Sequence, residues 1–308
     1  MTEHAVVVEH VRVAFGPIRA LDDVDLRVPR GSTLGVLGHN GAGKTTLIRV
    51  LTTQIRPDRG RVSIDGIDAL AQPPEVRRRI GVTGQFAGLD DFLTTLENLE
   101  LVARLAGLGS AARARAEEFV ERFELGAVAS RRAGELSGGS RRRVDLAASL
   151  VASPRVLFLD EPSTGLDPAA RQAVWDLVTE LTATGTTVVL TTQYMEEADR
   201  LADHLVVLEH GRVAARGTPR DLKALVGAKV VRATVSRPRA GQLTLRPDSV
   251  APAGEDRIAV SFSVPDDAAA TEVIGRLDLD TLGVSDLEIA SPTLDDVFFL
   301  LAQPGAPA

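Results

Sequence analysis

Two short runs hold the residues best suited to chemistry. Gly38-His39-Asn40-Gly41-Ala42-Gly43-Lys44-Thr45 satisfies the pattern G-x-x-x-x-G-K-[ST] and is followed by Thr46. Glycines in such a loop let successive backbone N–H groups turn toward a polyphosphate, and a following helix N-terminus adds a favourable dipole. The Lys44 ammonium would reach the β- and γ-phosphates, and the Thr45 hydroxyl would ligate Mg2+. The second run is Asp160-Glu161, two carboxylates closing the apolar stretch Val156-Leu157-Phe158-Leu159. If the two strands involved are neighbours, Asp160 would hold Mg2+ directly or through water. Glu161 would then polarise an attacking water, a task that a phosphoryl-transfer site must give to some residue. Alone, the first run is a Gly-rich turn and the second a solvated acidic turn. Together they point to nucleotide chemistry.

The elements needed to position these residues are legible too. Residues 34–37 are aliphatic and 46–52 are helix-like, so the Gly-rich loop sits in a strand–loop–helix context. Residues 5 to about 85 alternate β-branched runs with Gly-rich turns. Residues 90 to about 150 are helical, with Leu96, Leu99, Val102, Ala103 and Ala106 at helical spacing. From 155 to 217 strand-like and helical segments alternate, which implies a mostly parallel sheet covered by helices. After Gly227 the pattern changes: Ile258, Val260, Phe262 and Val264 alternate with polar residues, as in a strand buried on one face. Ser291-Pro292 predicts the start of a last helix, with Ser as N-cap, and residues 303–308 read as a disordered tail.

Composition narrows the function classes. Of 308 residues, 44% are hydrophobic and 25% charged, and the net charge is −7. That acidic balance argues against a nucleic-acid partner, so Arg77-Arg78-Arg79 and Arg141-Arg142-Arg143 read as solvated helix faces. With no cysteine, disulfides, thiolate metal sites and cysteine nucleophiles are excluded together. The start lacks the pattern of a signal peptide, and no apolar run approaches the roughly 20 residues of a spanning helix.

A third run, Leu136-Ser137-Gly138-Gly139-Ser140, opens the helix-like segment 141–150 between the other two. In this order the three runs resemble the ABC (ATP-binding cassette) ATPases over residues 5 to about 220. The fold class implied is an α/β P-loop NTPase core, with a helical subdomain at about 86–150 and a small C-terminal α+β domain at 228–302. The resemblance implies ATP and Mg2+ as cofactors, and Gln85 at the Q-loop as a metal-side and catalytic contact. It also implies Phe15 stacked on adenine and a D-loop at Ser163-Thr164-Gly165-Leu166-Asp167. Two copies would pair head to tail, the phosphate loop of one and Ser137, Gly138 and Gly139 of the other enclosing each ATP. Ser137 with the N–H groups of its helix start makes a second anion site, as that arrangement needs.

Two residues depart from the family pattern. Gln193 replaces the usual switch His, keeping a hydrogen-bond donor while losing a titratable group. Ser140 replaces a Gln at the edge of the signature run.

About fifty residues separate Gln85 from Leu136, too few for the long coiled coil of a chromosome-organising ATPase. One cassette, where translation-associated members carry two, favours a transporter's motor subunit. Ser291-Pro292-Thr293-Leu294-Asp295-Asp296-Val297-Phe298 and the run from Gln193 resemble the daunorubicin/doxorubicin-resistance exporter ATPases. This implies drug or antibiotic export through a separate integral membrane permease, from the cytoplasmic face of the membrane. Lipid or polysaccharide export and import are the alternatives.

Overall fold

The structure is a computed structural model that describes residues 3–84, 88–227 and 229–301. The chain divides into two units, Met1–Arg216 and Gly217–Ala308.

In the first unit β1 (His4–Phe15) and β2 (Ile18–Pro29) pair antiparallel, Phe15 lying opposite Ile18. Gly16 and Pro17 alone join them, and so short a link allows only antiparallel pairing. After β3 (Thr33–Leu37) and α1 (Lys44–Leu51), β4 (Arg59–Ile64) returns to β1 and β5 (Ile67–Asp68) follows. These strands form one sheet, in the order β2-β1-β4-β5.

The chemistry-bearing layer is a second sheet. α2 (Pro73–Arg77) leads into β6 (Ile80–Thr83), and α3 (Thr95–Leu105), α4 (Ala112–Arg122) and α5 (Gly138–Leu150) follow. Then come β7 (Val156–Asp160), α6 (Pro168–Ala183), β8 (Thr187–Thr192), α7 (Met195–Leu201), β9 (His204–Glu209) and β10 (Arg212–Gly217). The six strands lie in the order β10-β9-β3-β8-β7-β6, with β9, β3, β8, β7 and β6 mutually parallel. β3, β7 and β8 are buried at every position, which explains their unbroken aliphatic runs. β3 and β7 are not neighbours; β8 lies between them. The loops leaving all three still converge at the carboxyl end of the sheet, where open α/β sheets bind ligands.

The helical segment starts cleanly. Thr94 accepts from the Glu97 N–H while the Glu97 carboxylate accepts from the Thr94 N–H, a capping box. Leu99 and Ala103 of α3 then pack with Ala112, Ala116 and Phe119 of α4 and with Val144 and Ala147 of α5.

The second unit contains α8 (Pro219–Ala224), β11 (Lys229–Ser236), β12 (Ser249–Pro252), β13 (Arg257–Val264) and α9 (Asp267–Arg276). It ends with α10 (Leu279–Leu282), β14 (Asp286–Ala290) and α11 (Leu294–Leu301). Its antiparallel sheet runs β12-β13-β11-β14, and Val231, Ala233, Val235, Val260 and Phe262 supply the core. The last helix starts later than the sequence predicts. Thr293, not Ser291, caps α11: its Oγ1 accepts from the Asp296 N–H, and its own N–H donates to the Asp296 carboxylate. A hydroxyl three residues before a carboxylate can close that reciprocal pair, and Ser291 has no such partner at the matching position. The tail 303–308 lies outside the described residues. Among the described residues no helix is long and apolar enough to cross a membrane.

Candidate active site

The Gly-rich loop bends between β3 and α1, and two of its glycines are there for space as well as for backbone angle. A Cβ on Gly38 (φ 158°) would sit 2.6 Å from the Leu208 carbonyl oxygen. One on Gly43 (φ 110°) would sit 2.5 Å from the Ala20 carbonyl oxygen. Ala42, within the loop, is buried, and its carbonyl accepts from the Gly211 N–H at 3.0 Å.

A cavity of about 510 Å3 opens above, lined by His39, Asn40, Gly41, Gly43, Lys44, Thr45 and Thr46. Glu161, His210 and residues 18–20 complete its wall. α1 begins at Lys44, so its first-turn N–H groups have no carbonyl of their own helix to bond. Lys44 is 4% exposed; its Nζ donates to the carbonyls of Gly38 (2.7 Å) and His39 (3.2 Å). The same Nζ lies 3.6 Å from Oε1 of Glu161.

β8 supports the carboxylate pair. Thr191 Oγ1 donates to Asp160 Oδ1 at 2.5 Å, and the Glu161 N–H donates to Thr191 Oγ1 at 3.0 Å. Glu161 adopts a left-handed φ of 49°, uncommon for a residue with a Cβ. Its Oε2 accepts from Thr164 Oγ1 at 3.3 Å. The hydroxyl of Thr45 and the carboxylate of Asp160 are hard oxygen donors of the kind Mg2+ takes, so the residues present fit that ion.

The other sequence-singled residues lie elsewhere. Ser137 caps α5, its Oγ accepting from the Ser140 N–H at 3.3 Å; Ser137 and Gly138 are exposed, and none of the Ser137–Gly139 run lines this chain's own cavity. Gln193 is exposed on the bend after β8. Phe15 is 52% exposed at the β1–β2 turn and does not line the cavity, whereas Ile18 does. Gln85 lies outside the described residues.

Sequence reading missed the β9–β10 turn. Gly211 bonds the loop through Ala42, and Asp22 accepts from Arg212 Nη2 at 2.6 Å, which holds the Asp22 carboxyl below its ordinary range. The turn thereby brings the His210 ring within 5.6 Å of the His39 ring. Glu209-His210-Gly211 has a turn signal, but nothing in chain order ties it to residue 39. The solvated-face reading of Arg141-Arg142-Arg143 also fails at Arg142, whose side chain is 11% exposed. On a helix packed along one side, consecutive residues point different ways, and this one points in.

This loop, carboxylate pair and parallel sheet define a P-loop nucleotide-binding domain, and comparison with known proteins makes it the ATP-binding cassette of an ABC transporter, an ATPase. The family model described as ABC transporter matches residues 21–164. A daunorubicin resistance ATP-binding protein of Streptomyces coeruleorubidus is 48% identical over 98% of this chain and 96% of its own length. A doxorubicin resistance ATP-binding protein of Mycobacterium tuberculosis is 44% identical over 96% of this chain and 93% of its own. Among solved structures, a dimeric ATP-binding cassette in a post-hydrolysis state bound to ADP and Pi superposes with a TM-score of 0.64. It is 28% identical and covers 69% of this chain and 98% of that one. The chain belongs to the daunorubicin/doxorubicin-resistance family of ABC transporter ATP-binding proteins.

Proposed function

We propose that this protein is the motor subunit of a drug or antibiotic exporter and drives a separate membrane permease by hydrolysing ATP between two copies of itself. The observation that carries ATP hydrolysis is the pairing of Lys44 and Glu161 at 3.6 Å across the cavity cradled by the Gly-rich loop, and the likeness to drug-resistance ATP-binding proteins supports export. The loop N–H groups and Lys44 would bind the β- and γ-phosphates. Thr45 and Asp160, with Gln85, would hold Mg2+, which when bound offsets phosphate charge. Glu161 would take the proton of a water whose oxygen attacks the γ-phosphorus; the bond to the bridging oxygen breaks and ADP leaves with the electron pair. Gln193 would donate to the γ-phosphate, and Phe15, outside the cavity but paired across the turn with the cavity-lining Ile18, would stack on the adenine.

Ser137, Gly138 and Gly139 would grip the γ-phosphate held by a second copy, head to tail. Exposure of this helix start supports that role, since it lines no part of its own chain's cavity. Residues 5–220 would form the cassette and 228–302 a separate domain. The protein would sit at the cytoplasmic face of the membrane. The helical segment that carries the exposed Phe92 and Leu105 would be the part that docks on the permease.

The test is complementation. Lys44→Ala and Ser137→Arg chains are each expected to be inactive alone. Mixed, they form heterodimers with one unaltered composite site, and partial ATPase activity returns. No recovery despite confirmed heterodimers contradicts the shared site.

Gln193 gives a second expectation. Gln193→Ala removes a neutral donor and should lower kcat by about 3- to 10-fold. Gln193→His should raise kcat above wild type as pH falls from 8 to 6, because an imidazolium makes a charge-assisted bond. A Gln193→Ala rate equal to wild type throughout that range would remove residue 193 from the site.

A further inference from the structure

One side chain fastens the Glu161 loop to α5. Arg142 Nε donates to the Pro162 carbonyl at 2.9 Å, Nη1 to the Gly84 carbonyl at 2.7 Å and Nη2 to the Glu161 carbonyl at 3.4 Å. Asp145, on the same helix, has its Oδ2 3.4 Å from Nη1 and accepts from the Gly88 N–H through Oδ1 at 3.0 Å. Asp145 is buried and Arg142 nearly so, at 5% and 11% side-chain exposure. The geometry is not that of a pair formed for its own sake. The contact between the charges is long, while the shortest guanidinium bonds go to carbonyls of two other segments. A planar fork of fixed donors can reach several carbonyls at once; a lysine ammonium on the same stem cannot.

The anchored residue has reason to need anchoring. Glu161 has the left-handed φ of 49°, a conformation that persists in a residue with a Cβ only where its surroundings fix it. Its N–H is fixed from β8 by Thr191. Its carbonyl is fixed by Arg142 and by the Thr164 N–H at 3.3 Å, and the Pro162 carbonyl beyond it also belongs to Arg142. Release of the Arg142 side would let the peptide relax and carry the carboxylate away from its place beside Lys44. α5 is also the helix that Ser137 caps. A rigid helix therefore joins the end offered to a second copy with the side chain that holds this copy's own Glu161.

We propose that Arg142, charge-balanced by Asp145, is a positioning residue for hydrolysis: it sets the Glu161 carboxylate through the Glu161 and Pro162 carbonyls and ties its placement to that of α5. The inference rests on the reading of Glu161 as the base. Burial pushes the Asp145 carboxyl up to about 6 and the Arg142 guanidinium down from its ordinary value.

The experiment measures kcat, KM, the ATP dissociation constant and the melting temperature for Arg142→Gln and Arg142→Lys, with Glu161→Gln alongside. Misplacing the carboxylate should lower kcat by about 10- to 100-fold in Arg142→Gln, while KM and ATP affinity stay within about 3-fold of wild type. Arg142→Lys, able to serve fewer carbonyls, should recover part of the loss. If Arg142→Gln does not fold, the same split is sought in Arg142→Lys. Wild-type kcat in a folded Arg142 variant beside an inactive Glu161→Gln overturns this inference alone. Loss of ATP binding in step with kcat in both Arg142 variants also overturns it, because that is the signature of general structural damage. Wild-type turnover in Glu161→Gln overturns the reading of the base beneath it.

Discussion

Glu161→Gln should bring steady-state ATP hydrolysis down by at least about 100-fold and leave ATP affinity within a few-fold of wild type. The substitution keeps size and the oxygen that accepts from Thr164, so the loop has no packing reason to move. What it removes is the charge and the lone pair needed to take the water's proton. It also removes the carboxylate 3.6 Å from Lys44, leaving the ammonium with only neutral carbonyl partners until phosphate arrives. ATP binding therefore has no cause to weaken. Phosphate release followed over many turnovers, with ATP affinity measured on the same sample, checks both halves. Retained turnover would mean that another group takes the proton.

The second large effect is Lys44→Ala, which should weaken ATP binding by more than about 10-fold. A hydrogen bond to a charged group contributes roughly 1.5–3 kcal/mol, and the ammonium is the one cation among the loop residues 38–46. Its removal also leaves the Gly38 and His39 carbonyls without the donor they now share. The loop then presents two bare acceptors to an anion, so affinity falls for two reasons at once. Titration with a fluorescent ATP analogue gives the number, and a change under about 3-fold would place the phosphates elsewhere.

How far such a site can be drawn from sequence depends on whether each residue acts locally. The loop at 38–45 and the strand ending in Asp160 are local: a strand, a turn and a helix follow from adjacent residues, and the structure has them in those positions. The long-range parts were hidden. Nothing in chain order says that β8 inserts between β3 and β7, so the bond from Thr191 to Asp160 had no signal. Arg142 looks like its neighbours in an arginine run, and only helix packing separates it from them. His10, Asp23 and Asp25 lie apart in sequence, yet the β1–β2 ladder brings His10 Nδ1 to 3.5 and 3.6 Å from the two carboxylates. The cap of α11 shows the finer limit. Ser291 and Thr293 carry the same chemistry, and the reciprocal bond with Asp296 decides between them.

Two copies are expected to close around ATP and open on hydrolysis. Light scattering on purified Glu161→Gln protein, with ATP, with ADP and without nucleotide, tests this most directly. The expected result is twice the monomer mass with ATP and Mg2+, and monomer mass with ADP or without nucleotide. Monomer mass at saturating ATP, with ATP binding confirmed on the same sample, would contradict the account.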